Sequence, residues 1–514
     1  MSMGLDITQA TIAQIGQGLE SAAFSSTRLV EAYLARIAAY DLAGPCINSL
    51  LCLNPKAGEE ARARDAERAR GHARGPLHGI PVVVKDNIDV AGLATTAGSQ
   101  LLAGHVPGAD AEVVARLRRA GAIVLAKANM QEFAGGGGSV MSSRDPDVLK
   151  AGTPPSGYSS QGGQTRNPHS LAHSPSSSSG GTGASVAAAF AGFGLGTDTV
   201  MSIRAPSSVN GIFGLKPTHG LVSCEGVVPL APSLDVVGPM GRSLADVALA
   251  MEIMAAAGGG YEKSLRPGAL RGARLGLVKS LLGVNHEVDQ AIAGAVSQMA
   301  AQGAIVVEVD YPAYLLDAKE GLCWLIMVSE FKAHIARYLS SAGAEIPRSM
   351  QELIEAAARM GSDYRSPEKH FALRYAADQA LPLDHACYLA ARHQGMALVR
   401  QTVDALLREH ELDALVYPTL SGEAPRITAG GQQAPKPYPS LPPSHHATVI
   451  ANLAGYPDLS MPVGMTAAGL PVGMSLLGRA HSEASLLAYA YDLDAGCRAR
   501  RLPRFTPSLE TDRV

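Results

Sequence analysis

Three side chains stand where an ordinary structural residue would be costly or out of place. Lys85 closes the apolar run Val82-Val83-Val84, and an ammonium at the end of a buried strand is unfavourable unless it is paired or neutral. Desolvation lowers a lysine pKa, so a lysine held there can work as a base. The competing reading is a side chain that reaches solvent from the strand end. Ser178 lies in Ser176-Ser177-Ser178-Ser179, ahead of Gly180-Gly181. Ser202 follows 24 residues later, at the end of Gly196-Thr197-Asp198-Thr199-Val200-Met201. Between them, Ala184 to Leu195 is built of small and apolar residues that allow close packing. A serine in a tight turn beyond such a segment can face several backbone N–H groups. That is the geometry of an oxyanion-binding turn, and its chemistry is attack of a hydroxyl on a carbonyl carbon. Any single serine is structural far more often than reactive, so its flanks must decide.

Rival chemistries leave no trace. The chain has no GxSxG elbow, no HExxH and no GxxxxGK[ST], which removes the α/β-hydrolase, zincin and P-loop readings. The run Gly135 to Gly138 lacks the strand–loop–helix setting that would make it a phosphate cradle. Six cysteines (Cys46, Cys52, Cys224, Cys323, Cys387 and Cys497) are scattered without a CxxC pair. They form neither a zinc site nor a disulfide framework, and no metal or organic cofactor is expected. A net charge of −3 argues against nucleic acid as a partner. The basic stretch Arg62, Arg64, Arg68, Arg70 and Arg74 is interleaved with Glu59, Glu60, Asp65 and Glu67 and reads as a solvated helix face. The opening MSMGLDITQA has no basic or apolar signal region. Ala184 to Gly196 is too short to span a bilayer, so a cytoplasmic, membrane-free protein is expected.

The elements that must position these residues follow from periodicity. Two helices are expected in the first forty residues, the second capped by Ser25 or Ser26 and carrying the stripe Leu29, Val30, Tyr33, Leu34 and Ile37. The continuous run through Val84 suits a strand buried on both faces. Ala111 to Ala120 reads as an amphipathic helix and Ala122 to Ala126 as a second buried strand. Strand, helix, strand predicts a parallel pairing with a helical crossover. The unit recurs as helix 287–302 before strand 304–309, and as helix 387–408 before strand 413–417. The fold class expected is α/β, one large domain with a central, mostly parallel mixed sheet and helices on both faces. The organisation is a helical segment over 1–75, a catalytic domain over 76–500 and a tail over 501–514. A variable, helix-rich insertion at 262–440 is expected to carry part of the cleft.

Residues 79 to 218 resemble the amidase signature family. Gly79-Ile80-Pro81 with Lys85-Asp86-Asn87 matches its lysine motif, and Lys127-Ala128-Asn129-Met130 with Glu132-Phe133-Ala134 matches the turn after its next strand. Ser178-Ser179-Gly180-Gly181 resembles its paired-serine motif and Ser202-Ile203-Arg204 its nucleophile motif. Asn210-Gly211 through Pro217-Thr218 follows in order, and Asn452, Gly455-Tyr456-Pro457 and Gly469 to Gly473 extend the likeness. Gly162 to Pro168, His173-Ser174-Pro175 and Glu330-Phe331-Lys332 are similar to the bacterial peptide amidases. The resemblance implies that Ser202 attacks the amide carbonyl. Ser178, held by a cis peptide bond, would pass the proton to neutral Lys85. The backbone N–H groups of Thr199, Val200, Met201 and Ser202 would bind the oxyanion.

The substrate implied is a small amide, aryl amide, peptide amide or carbamate, acted on by a monomer or homodimer. The alternatives are an esterase or urethane hydrolase of the same family, or a glutaminase-type subunit of an amidotransferase complex. Loops 134–165 and 420–447 are expected to shape the cleft. Met130, Gly135, Gly136, Tyr158 and Tyr438 are candidates for its lining, with His445 and His446 beside them. One departure stands out. The family has glycines where this chain has Val200 and Met201, and Ser176 and Ser177 likewise replace glycines. A side chain at 201 is expected either to reshape the acyl pocket or to strain the turn.

Overall fold

The computed structural model describes residues 4–135, 155–256, 258–427 and 448–514. Its frame is a sheet whose strands are β1 (Leu50–Leu53), β2 (Pro81–Lys85), β3 (Ile123–Ala128), β6 (Phe193–Asp198), β7 (Phe213–Lys216), β8 (Val236–Gly241), β9 (Arg274–Val278), β10 (Ile305–Val309), β11 (Ala414–Pro418), β12 (Asp458–Met465) and β13 (Pro471–Leu477). A separate two-stranded ribbon pairs β4 (Tyr158–Ser159) with β5 (Gly163–Gln164). The order across the main sheet is β1-β3-β2-β6-β8-β7-β12-β13-β11-β9-β10. Parallel pairings form two blocks, β3-β2-β6 and β11-β9-β10. The strands between them run antiparallel.

Helices cover both faces. They are α1 (Ile12–Glu20), α2 (Ser26–Tyr40), α3 (Ala57–Ala69), α4 (Glu112–Arg119), α5 (Gly180–Ala187), α6 (Arg204–Val209), α7 (Leu244–Met254), α8 (His286–Ala301), α9 (Ala313–Leu339), α10 (Met350–Met360), α11 (Pro367–Gln379), α12 (Met396–Glu409), α13 (Thr448–Ala454) and α14 (Glu483–Cys497). Strand β11 displays the two-sided burial directly, because successive side chains on a strand point to opposite faces. Ala414 and Val416 join the apolar cluster packed by α1, α2, α4, α7, α8 and α14. Leu415 and Tyr417 join the cluster packed by α9, α12 and α13. Helix α2 starts as the sequence dictates: Ser25 caps it by accepting from the amide of Arg28 at 3.1 Å.

Several elements differ from the sequence reading. The segment before residue 75 also supplies β1, which pairs antiparallel with β3 at the sheet edge. Four residues without alternation leave no strand signature, so this strand exists through its tertiary partner. The expected helix over 387–408 is interrupted by a π-helical stretch, Ala390–Gly395, before α12 begins. Leu322 Cδ2 of α9 lies 2.6 Å from where a Cβ on Gly395 would stand, so this side chain packs directly on the Gly395 backbone. The small-residue segment 184–195 is divided between α5 and β6. The last residues fold back on the first: Leu5 and Val514 exchange both backbone hydrogen bonds at 3.0 Å, and buried Arg36 pairs with Asp512 at 2.5 Å. No helix among the described residues is long and apolar enough to cross a membrane.

Candidate active site

Strands β2 and β6 are parallel neighbours, with Val84 opposite Leu195. Their carboxyl ends therefore open on the same edge of the sheet, the place where open α/β sheets bind ligands. Lys85 is the last residue of β2 and is fully buried. Its Nζ lies 2.8 Å from Ser178 Oγ and 2.7 Å from Thr197 Oγ1. Thr197 is anchored in turn by Asn87, whose Nδ2 donates to the same hydroxyl at 3.1 Å. Burial drives the Lys85 pKa down to about 7, against the opposing pull of the Asp198 and Asp235 carboxylates. The side chain does not reach solvent.

Ser178 stands just ahead of α5 and is 2% exposed; the Ser177–Ser178 peptide bond is cis. Three contacts fix this segment. Gln131 donates its backbone N–H to Ser178 O at 3.0 Å, Ser179 donates to Ser202 O at 3.2 Å, and Gly181 donates to Asn129 O at 3.0 Å. At Gly181 an added Cβ would collide with the backbone oxygens of Asn129 and Ser49, so only glycine lets α5 start against the end of β3.

Ser202 ends the turn that leaves β6 and is 8% exposed. The turn is held from beneath. Asp198 accepts from the Ile203 amide at 2.9 Å and from Arg204 Nη2 at 3.0 Å. Arg204 also reaches Asp458 at 2.5 Å, Asn452 at 2.6 Å, Thr448 O at 2.7 Å and Val200 O at 2.8 Å. Burial alone would raise the Asp198 pKa, but the guanidinium and the hydrogen bonds outweigh it and hold the carboxyl at about 2. Thr199 Oγ1 donates to Asp235 at 2.5 Å, and Asp235 also accepts from the amides of Leu230 and Ala231 at 2.9 Å. Burial pushes the Asp235 pKa up to about 6 against those bonds.

These anchors decide which way the peptide groups face. The carbonyls of Val200, Met201 and Ser202 are engaged by Arg204, by the Ala205 amide and by the Ser179 amide. The backbone N–H groups of Thr199, Val200, Met201 and Ser202 have no partner among the described residues. Four N–H groups without an acceptor among the described residues thus lie in the one turn that ends at Ser202. Neither Val200 nor Met201 has positive φ, so the side chain at 201 does not strain the turn. The left-handed conformation falls instead on Ser176, with φ of 65°. Val200 packs against the cluster formed by α9, α12 and α13, whereas half-buried Met201 belongs to no apolar cluster.

The structure brings Lys85 and Ser178 into contact and ties the Ser178 segment to the Ser202 turn. The other candidates vary. Met130 is fully buried and lies against Gly98. Gly135 is half-buried, with φ of 89°. Half-buried Tyr158 donates its hydroxyl to Arg365 O at 2.6 Å, tying the ribbon to the residues before α11. Gly136, Tyr438, His445 and His446 lie outside the described residues. Sequence reasoning passed over Thr197 and Asp235. The same burial cost that singled out Lys85 would have found Asp235, an acid placed immediately before the apolar pair Val236-Val237.

Comparison with known proteins fits this geometry. The amidase family model matches residues 28–487. A glutamyl-tRNA(Gln) amidotransferase chain from Moorella thermoacetica is 34% identical, over 97% of this chain and 99% of its own length. Among solved structures, the native peptide amidase from Stenotrophomonas maltophilia is 37% identical with a TM-score of 0.86, covering 97% of this chain and 99% of that one. An amidase family protein from Bacillus anthracis is 28% identical with a TM-score of 0.82, over 97% of this chain and 93% of its own.

Proposed function

Because the chain belongs to the amidase family, we propose that it hydrolyses a small linear amide through an acyl-enzyme on Ser202, with Ser178 and Lys85 as proton relay. The observation that carries this reading is the 2.8 Å contact between Ser178 Oγ and a lysine whose pKa burial lowers to about 7.

In the proposed cycle Ser202 Oγ attacks the amide carbonyl carbon and its proton passes to Ser178 Oγ. The Ser178 proton moves at the same time to the lone pair of Lys85 Nζ. The carbonyl oxygen gains the negative charge and is met by the amides of Thr199 to Ser202, donors that need no reorganisation during reaction. As the C–N bond breaks, the proton returns from Lys85 through Ser178 to the leaving nitrogen. Water then attacks the ester on Ser202 by the same relay and releases the carboxylic acid. Thr197 and Asn87 orient the lysine. Asp198, Arg204 and Asn452 hold the turn. On this reading the half-buried Met201 narrows the acyl side of the pocket.

Peptide amides head the candidate substrates, supported by the motifs at 162–168, 173–175 and 330–332 and by the extent of the likeness to the peptide amidase. The likeness to the glutamyl-tRNA(Gln) amidotransferase chain favours the glutaminase-type reading. A panel of peptide amides, aryl amides, carbamates, esters and glutamine, read by ammonia or amine release from the purified chain, separates them. Turnover of peptide amides by the chain alone is the expected result. Activity confined to glutamine and dependent on added partner proteins would replace it with the second reading.

A further inference from the structure

A groove of about 320 Å³ opens at the C-terminal end of α13, between α12, the π-helical turn before it and the segment that carries His219 and Ser233. None of its lining residues belongs to the nucleophile turn or its relay. Two arginines, Arg392 and Arg400, face it, and no carboxylate side chain lines it. Arg392 is supplied by the π-helical turn, a distortion that recurs at functional sites. Its nearest acid is Glu330, 3.8 Å from Nε. That carboxylate is already occupied: it accepts from the Ser233 amide at 2.8 Å, from the Ser233 hydroxyl and from Tyr388 OH at 2.8 Å. Arg400 donates Nε to Ala454 O at 2.9 Å, which orients its fork and leaves its two Nη groups without a partner among the described residues. The next acid, Asp404, accepts from Tyr456 OH at 2.6 Å and lies 3.9 Å from Arg479. The groove is therefore lined by two guanidinium groups and no carboxylate: Arg392 is offset by Glu330 behind it, and exposed Arg400 keeps its two Nη groups for a ligand.

We propose that this groove is a second binding site, separate from the nucleophile turn, for a small polyanion bearing carboxylate or phosphate groups, gripped by Arg392 and Arg400. A planar fork of N–H donors suits either oxyanion bidentately, and the volume falls at the small end of ligand sites, roughly 300–1,000 Å³. The site also touches both supports of the catalytic turn. Ser233 stands two residues before Asp235, which holds Thr199. Helix α13, whose end forms one wall, carries Asn452 and the Thr448 carbonyl against Arg204.

The test titrates the full chain with citrate and, separately, with inorganic pyrophosphate, by calorimetry at low ionic strength. Saturable binding of either is expected; citrate alone identifies a carboxylate ligand and pyrophosphate alone a phosphate ligand. R392Q and R400Q should each weaken binding by about tenfold or more, close to 1.4 kcal/mol or above. Should either variant unfold, phenylglyoxal modification of the wild type reads the same site, and the bound probe must protect Arg392 and Arg400 in peptide maps. Absence of binding by both probes up to roughly 10 mM, a weak-affinity limit near −2.7 kcal/mol, overturns the proposal. So does binding indifferent to both variants, or protection of neither arginine.

Discussion

A buried lysine with its pKa near 7 exchanges its proton within the working range of an enzyme. Only the unprotonated amine can take the proton from Ser178, so kcat/KM should fall as the pH drops through 7 and level off above it. A pH–rate profile of the wild type checks this, and Lys85→Ala should lose the acid limb together with roughly 10²–10⁴-fold of the rate. The same shift acts on folding. The folded pKa lies below the ~10.4 of an unfolded lysine, so the native chain binds fewer protons than the unfolded chain between those values. Stability should therefore rise as pH increases across that window, and the rise should shrink in Lys85→Met. Urea midpoints at the two ends of the window measure it. The φ of Met201 is ordinary, so its side chain does not strain the backbone, and the role proposed for it is in substrate choice. Met201→Gly should broaden the range of acyl groups hydrolysed; identical profiles for variant and wild type would remove Met201 from the pocket.

The turn between β6 and α6 depends on one buried guanidinium. Arg204 bridges Asp198 and Asp458, all three fully buried, and its removal would leave two carboxylates without their cation. Arg204→Met should cost about 3–5 kcal/mol in urea unfolding and lower kcat as the turn loosens. A variant of native stability would show that the carboxylates find other partners. At this scale the sequence was informative where burial is continuous. The run ending at Lys85 and the strand 123–128 were legible as a parallel pair because both faces are covered and no polar alternation interrupts them. Ser178 and Ser202 were legible through the motifs that flank them. Strand β1, the antiparallel centre of the sheet and the π-helical break were not, because each is set by partners distant in sequence. Strand β6 hid for a different reason: Gly194 and Gly196 carry no strand preference, and they are needed because Thr182, Met240 and Ile203 crowd against them.

At the scale of the whole molecule the candidate site lies at the carboxyl ends of β2 and β6, with supports drawn from far along the chain: Asp235 ahead of β8, Asn452 in α13 and Asp458 in β12. Such a site forms only when the complete sheet has assembled, which explains why the motif around the proposed nucleophile is recognisable in the sequence while its supports are not. All three members of the relay and all the anchors of the turn come from one chain. Hydrolysis should therefore be retained by a gel-filtered monomer or homodimer without any other polypeptide. Activity that appears only when a partner protein is added would point to the glutaminase-type reading.

The central claim is that Ser202 is a nucleophile activated by the Lys85–Ser178 pair, and a fluorophosphonate probe tests it most directly. Peptide mapping of the labelled protein should place the adduct on Ser202, with labelling abolished in Ser202→Ala and strongly slowed in Lys85→Ala. An adduct on another residue, or labelling of Ser202 at the wild-type rate in Lys85→Ala across pH 6 to 9, would contradict the account.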